Sequence, residues 1–216
     1  MDFDLARRNM VENQIRIGKV TDARLIRAMR TVPREAFVPA ALQGVAYIDD
    51  DMPLGGGRML LAPAVLAGLM QLLEIREGDT VLDVGCGSGY SSAVLAKMAL
   101  SVVALEPDPV LAKRASEILA SLAVDNAAVM EGELSRGLPR QGPYDVILVG
   151  GRIPRIPDGL KAQLNDGGRL AALIDDRGIG RAMLVERRGE AFAARVAFDA
   201  AGGFLPGFAA AAGFAL

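Results

Sequence analysis

At 216 residues the chain is long enough for one α/β domain with a short extension and short for two full domains. A composition of 51% apolar and 23% charged residues is that of a globular rather than a disordered chain, and a net charge of −2 provides no broad basic surface, so no nucleic-acid partner is expected. One cysteine, Cys86, rules out an intrachain disulfide, and the absence of histidine removes the commonest general base and metal ligand, which excludes Ser-His-Asp and Cys-His hydrolases and leaves no metal site expected.

The opening MDFDLARRNM carries acids early and lacks the basic start and apolar core of a secretory signal, so a cytoplasmic location is expected. Between residues 4 and 30, Leu5, Met10, Ile15, Leu25, Ile26 and Met29 recur among charges. That pattern predicts two short amphipathic helices divided near Gly18, with Thr21 as the N-cap of the second. From 33 to 57, prolines, glycines and the run Asp49-Asp50-Asp51 replace periodicity, which reads as irregular structure with a solvated acidic stretch. Gly55-Gly56-Gly57 is either a hinge over a ligand or a linker. The apolar stretch 59–73 is too short to span a bilayer and holds Pro63, so a buried helix from there to about 73 is expected, and no membrane span.

Short β runs then alternate with helical segments. Strands are expected over 80–84, 101–105, 127–130, 145–149 and 169–174, with helices over 90–98, 109–122 and 157–164 between them. Runs 182–187 and 192–198 flank "RRGE" and predict an antiparallel hairpin that completes the sheet. The expected fold is α/β, a doubly wound, mostly parallel seven-stranded sheet of Rossmann-like type with an N-terminal helical arm. Three parts are expected: arm and loop (1–58), cofactor-binding domain (59–199) and a Gly/Ala/Phe tail (200–216), whose Phe204, Phe208 and Phe214 cover the sheet edge or form a partner surface.

Ligands of open α/β sheets sit at the carboxyl ends of the strands, and "VLDVGCGSGY" (81–90) falls at the first β-α turn. Glycines at 85, 87 and 89 let the backbone turn sharply and approach a ligand, and the next helix offers free N–H groups. Seventeen residues after Gly89, the second strand ends in Glu106, with Pro107 stopping it, where a carboxylate can take both hydroxyls of a ribose. A dinucleotide fingerprint places its third glycine three residues after the second. Here the pattern is GxGxG with Asp83 two residues ahead, an acid that repels phosphate and suits an ammonium or a sulfonium.

With those residues the chain resembles the class I S-adenosylmethionine-dependent methyltransferases, and more closely the protein-L-isoaspartate O-methyltransferase family, over roughly residues 10 to 174. The specific pieces are "MVENQI" (10–15), "VPREAFVP" (32–39) and "MPLGGG" (52–57), followed by the glycine loop, "PYDVILVGG" and "NDGGRL". The resemblance implies S-adenosylmethionine as cofactor. It would place Asp83 and the loop of Gly85, Cys86, Gly87, Ser88 and Gly89 near the methionine part, Glu106 and Pro107 at the ribose, and Gly132 and Glu133 beside the adenine. Cys86 serves there as a small residue in a crowded turn rather than as a reactive thiol.

The acceptor side departs from the family pattern. Where the family reads like Thr-Ile-Ser-x-Pro this chain has Met59-Leu60-Leu61-Ala62-Pro63, and where the family has Val-Thr-Ala-Ala it has Val149-Gly150-Gly151-Arg152. Leu61, Gly150 and Arg152 are therefore the residues expected to face the acceptor. Arg152 and Arg155 either pair with an anionic substrate or are surface charges. The expected activity is methyl transfer to a carboxylate of a peptide, protein or small anionic acceptor, with isoaspartyl activity impaired by the lost hydroxyls. No catalytic residue is assigned. A cofactor-binding, non-catalytic partner-interaction protein of the same fold is the alternative, and a nicotinamide oxidoreductase is disfavoured by Asp83 and the glycine spacing.

Overall fold

The structure, a computed structural model, describes residues 1–208. Helix α1 (Phe3–Met10) begins at Asp2, whose side chain accepts from the Leu5 amide, and it runs on through a π-turn (Val11–Ile15) before stopping at Gly18. Helix α2 (Ala23–Thr31) is capped by Asp22 and not by Thr21: Asp22 accepts from the Arg24 and Leu25 amides at 2.7 and 3.3 Å. Thr21 instead turns its own amide to the Gln71 side chain.

Residues 33 to 57 hold more order than their composition suggested. Two 3-10 turns (Arg34–Phe37 and Ala40–Val45) precede a hairpin of β1 (Met52–Gly55) and β2 (Arg58–Leu60), which buries Met52, Leu54, Arg58 and Leu60. Its two-residue turn is Gly56-Gly57, both at positive φ, the conformation that tight hairpins require. The acidic run is not simply solvated either. Asp49 accepts from the Ala64 amide, and Asp51 accepts from the amides of Ala62 and Gly203, each at 2.7 Å. Free amides around the start of α3 (Pro63–Leu72), which has proline in its first turn, explain why carboxylates gather there.

Seven strands form the main sheet: β3 (Thr80–Val84), β4 (Ser101–Glu106), β5 (Ala127–Glu131), β6 (Tyr144–Ile153), β7 (Leu164–Asp176), β8 (Ile179–Arg188) and β9 (Ala191–Asp199). Their order is β5-β4-β3-β6-β7-β8-β9, with β3 to β7 parallel and β8 and β9 antiparallel, as the expected fold class requires. Helices α4 (Tyr90–Ala96) and α5 (Pro109–Ser121) link the first strands, and α6 (Asp158–Lys161) is a single turn where a longer helix was expected. Leu164 is already in register with Tyr144, so β7 begins five residues before the expected strand and consumes the end of that helix. The winding direction reverses between β3 and β6, which opens the crevice beyond their carboxyl ends.

One apolar cluster joins the N-terminal helices, the hairpin, α3 and α4 to one face of the sheet, and a second lies on the other face beneath Leu160 and Leu205. Beyond β9 the chain returns across the sheet end, where Phe204 pairs with Arg152 in an isolated parallel bridge. Phe208 is half-buried against the second cluster, while Phe214 lies outside the described residues. Among the described residues no helix is long and apolar enough to cross a membrane.

Because Asp51 holds two amides from segments far apart in sequence, Asp51→Ala is expected to cost on the order of 1–3 kcal/mol. At roughly 2–4 °C per kcal/mol for a chain of this size, thermal unfolding would resolve the loss, and an unchanged midpoint would mean that water satisfies both amides.

Candidate cofactor cleft

The glycine loop follows β3 directly, and residues 81 to 90 are all buried. Gly85, Gly87 and Gly89 have φ of +81°, +57° and +95°, a region closed to most side chains, so the loop can take this path only with glycine there. The turn is pinned to β4 by the Gly85 and Cys86 amides, which both donate to the Leu105 carbonyl. Ser88 Oγ donates to the Phe37 carbonyl at 2.6 Å, which ties the loop to the N-terminal arm. Cys86 is buried, and burial pushes its thiol well above the usual range, so it fills space rather than reacting.

Two carboxylates flank this loop, and neither is exposed to water. Asp83, at the end of β3, accepts from Ser91 and Ser92 through Oδ2 at 2.7 and 2.6 Å, while its Oδ1 is buried without a partner among the described residues. Burial raises its pKa to about 6 against the pull of the two hydroxyls. Glu106, at the end of β4, accepts from the Gly87 amide at 2.8 Å and from Arg58, whose Nη2 and Nε lie 2.8 and 3.2 Å away. Arg58 is 3% exposed, so this is a buried ion pair with two hydrogen bonds. Nothing in the sequence motif singled out Arg58; it could have been found only by asking what neutralises Glu106.

The other expected cofactor residues spread outward. Pro107 is exposed past β4, and Gly132 and Glu133 border an open groove of about 480 Å³ with Met130 and Leu138. Glu133 is held by Ser135 and Arg136. The structure thus brings Asp83, the loop and Glu106 together, with the groove at Gly132 and Glu133 alongside.

In front of the loop stand side chains of the chain itself. A Cβ on Gly87 would lie 2.7 Å from Leu54 of the hairpin, and one on Gly85 would lie 2.8 Å from Leu205 and 3.3 Å from the Arg58 guanidinium. Gly151, at the irregular end of β6, gives way to Leu205 in the same manner, with 2.7 Å to a hypothetical Cβ, and the Gly150 backbone packs on the Gly85 carbonyl. Leu61 is buried, and a Cβ on Gly202 would lie 3.0 Å from it, as one on Gly203 would lie 2.6 Å from Met59. Arg152 stacks its guanidinium 3.9 Å from the Phe204 ring centre and reaches Asp175 at 3.4 Å. Arg155 is exposed.

Behind the cleft, Arg34 is fully buried. Its guanidinium donates to the Ala46 and Leu61 carbonyls at 2.8 Å each and lies 5.0 Å from the Tyr90 ring centre, which fixes the backbone of the Leu61 segment. Desolvation lowers its pKa, a cost partly offset by the Tyr90 ring.

These buried acceptors suit a cationic, ribose-bearing ligand. Asp83 has an unused buried acceptor, Glu106 ends its strand where hydroxyls would lie, and the loop gives a close backbone approach. Comparison with known proteins identifies the family. The sequence profile of the family described as protein-L-isoaspartate(D-aspartate) O-methyltransferase matches residues 5–200. The protein-L-isoaspartate O-methyltransferase of Methanoculleus marisnigri is 43% identical over 180 residues, covering 82% of each chain. That of Methylorubrum extorquens is 41% identical over 184 residues, 85% of this chain and 80% of its own. A solved protein-L-isoaspartate O-methyltransferase from Plasmodium falciparum, in complex with S-adenosyl-L-homocysteine, shares the fold with a TM-score of 0.80 at 23% identity, covering 93% of this chain and 98% of that one. The chain belongs to the protein-L-isoaspartate O-methyltransferase family of S-adenosylmethionine-dependent enzymes.

Proposed function

We propose that this protein is an S-adenosylmethionine-dependent methyltransferase acting on a carboxylate, with an acceptor side so altered that isoaspartyl peptides are poor substrates. The observation that carries the reading is the pair of buried carboxylates, Asp83 and Glu106, on either side of a loop of three positive-φ glycines at the switch point of the sheet. When bound, the cofactor supplies an electrophilic methyl group on a sulfonium. Asp83 would hold its ammonium through the free Oδ1, Glu106 its ribose hydroxyls, and Gly132 and Glu133 would border its adenine.

An acceptor carboxylate is already ionised at neutral pH, so the reaction needs no general base and the lack of histidine is no obstacle. What the residues must supply is alignment of the attacking oxygen, an effect worth up to about 7–11 kcal/mol in favourable systems. In the family pattern hydroxyls serve this purpose. Here Met59 and Leu61 stand in their places and are packed against the tail backbone, and Gly150 offers no side chain. The acceptor is thus a peptide or protein carboxylate other than isoaspartate, or a small anionic molecule. The filled cleft also favours a second reading, a cofactor-binding partner protein without transfer activity. Formation of S-adenosylhomocysteine across an acceptor panel separates the two, because only the enzyme produces it.

Titration with S-adenosylhomocysteine is expected to show binding that Glu106→Ala weakens markedly, since charge-assisted hydrogen bonds of about 1.5–3 kcal/mol each are lost. Affinity is also expected to fall below about pH 6. The carboxylate form of Asp83 is the one that attracts an ammonium, and acid neutralises it, so the apparent Kd rises by up to about tenfold per pH unit below that point. A flat profile from pH 5 to 7 would take Asp83 out of ligand contact. In a methanol-release assay, transfer to an isoaspartyl peptide is expected to be undetectable or far below that of an ordinary family member. Met59→Thr with Leu61→Ser should raise it, because one orienting donor is worth on the order of 10²-fold. Robust wild-type transfer would show that backbone donors already orient the acceptor.

A further inference from the structure

We propose that residues 202 to 205, together with Arg58, are a built-in occupant of the cofactor cleft, and that S-adenosylmethionine binds only by displacing them. The proposal rests on the cofactor reading above. Arg58 places two donors on the Glu106 carboxylate, where the ribose hydroxyls would place theirs, and it is as buried as a bound ligand would be. Leu205 is 5% exposed and seals the face of Gly85 through which a ligand would approach the backbone.

The segment is held as an added strand. Arg152 N donates to the Gly203 carbonyl at 2.8 Å, and Leu205 N donates to the Arg152 carbonyl at 2.9 Å, the main-chain pattern by which sheets capture extended peptides. Asp51 anchors the Gly203 amide from the other side. Leu173 and Asp51 also border the segment, but four of the residues that meet it are ones where the chain departs from the family pattern. A Cβ on Gly203 would lie 2.6 Å from Met59 and one on Gly202 would lie 3.0 Å from Leu61, Gly151 lacks the Cβ that would strike Leu205, and Arg152 sets its cation over Phe204. Scattered loss of acceptor residues would not converge on one segment. Together these changes form a single packing unit, and its result is a covered glycine loop.

Opening requires breaking the Arg58–Glu106 pair, two main-chain hydrogen bonds and the bond from the Gly203 amide to Asp51, and exposing Leu205. A ligand that binds only the open form has its apparent affinity reduced by the open fraction, so a closed state favoured about tenfold weakens binding about tenfold. The acceptor lane is filled by the same segment, which links donor access and acceptor access in one movement.

Calorimetric titration of S-adenosylhomocysteine into wild type, Leu205→Ala, Arg58→Gln and the double variant tests this, with thermal melts of each protein alone. Tighter binding is expected in both single variants, by about tenfold or more, and tighter still in the double variant, with ligand-free melting points below that of wild type. Arg58→Gln leaves Glu106 without its cation and could fail to fold; Leu205→Ala keeps the ion pair and carries the test alone. If wild type binds and both variants bind equally well or more weakly, the cleft is not contested and the proposal is overturned. If neither wild type nor any folded variant binds, the cofactor reading itself fails and takes the proposal with it.

Discussion

A carboxylate with no contact with water must be answered by donors, and the carboxyl end of the parallel strands is arranged around how Glu106 is answered. It stands at the tip of β4, one strand from the glycine loop, and takes the Gly87 amide and the Arg58 guanidinium. The first partner fixes the loop and the second draws the β1–β2 hairpin down over it. Since the hairpin also carries Leu54 onto Gly87 and Met59 onto Gly203, one buried charge sets the position of the arm, the loop and the tail together. Removing either member of such a pair costs more than the pair itself contributes, because the other is left charged in a dry site.

Asp83 shows the contrasting solution. It lies one strand away and equally buried, but has no cation in contact, only two serine hydroxyls from the helix that follows it. Its pKa is accordingly driven up, while its second oxygen is left unused. The cleft thus holds two buried carboxylates, one paired with a cation of the fold and one left partly unsatisfied. The difference between them is whether the chain has placed its own cation there.

The fold was largely legible in the residues. Alternating apolar runs and helical segments of ordinary length predicted all seven strands of the main sheet, and β3 falls over 80–84 as expected. Errors came where local signals competed. Asp22 rather than Thr21 caps α2 because its carboxylate reaches the Arg24 and Leu25 amides, while the Thr21 hydroxyl turns to Gln71, fifty residues on. The glycine-rich stretch ending at Gly57 was irregular in composition yet folds as a hairpin, since Met52, Leu54 and Leu60 alternate across a turn that only glycine makes easily. Likewise Asp49 and Asp51 read as a solvated run, although their acceptors meet amides of α3 and of the tail that no local pattern links to them.

What the sequence by itself determined is whatever depends on neighbours a few residues apart: the periodicity of strands and helices, the GxGxG turn, and the acid at the end of the next strand. It could also show that family hydroxyls are replaced at 59, 61 and 150, and that 151 and 152 depart as well, because that is a matter of identity at aligned positions. Only the tertiary structure decided what those replacements face, since Gly203 and Leu205 are more than fifty residues from Arg152 and nearly one hundred and fifty from Met59. Contacts at such separations are set by how the sheet winds and where its last segment returns. For the same reason Arg58 reads as an ordinary hairpin charge in sequence, and only the packed sheet reveals it as the partner of a buried carboxylate.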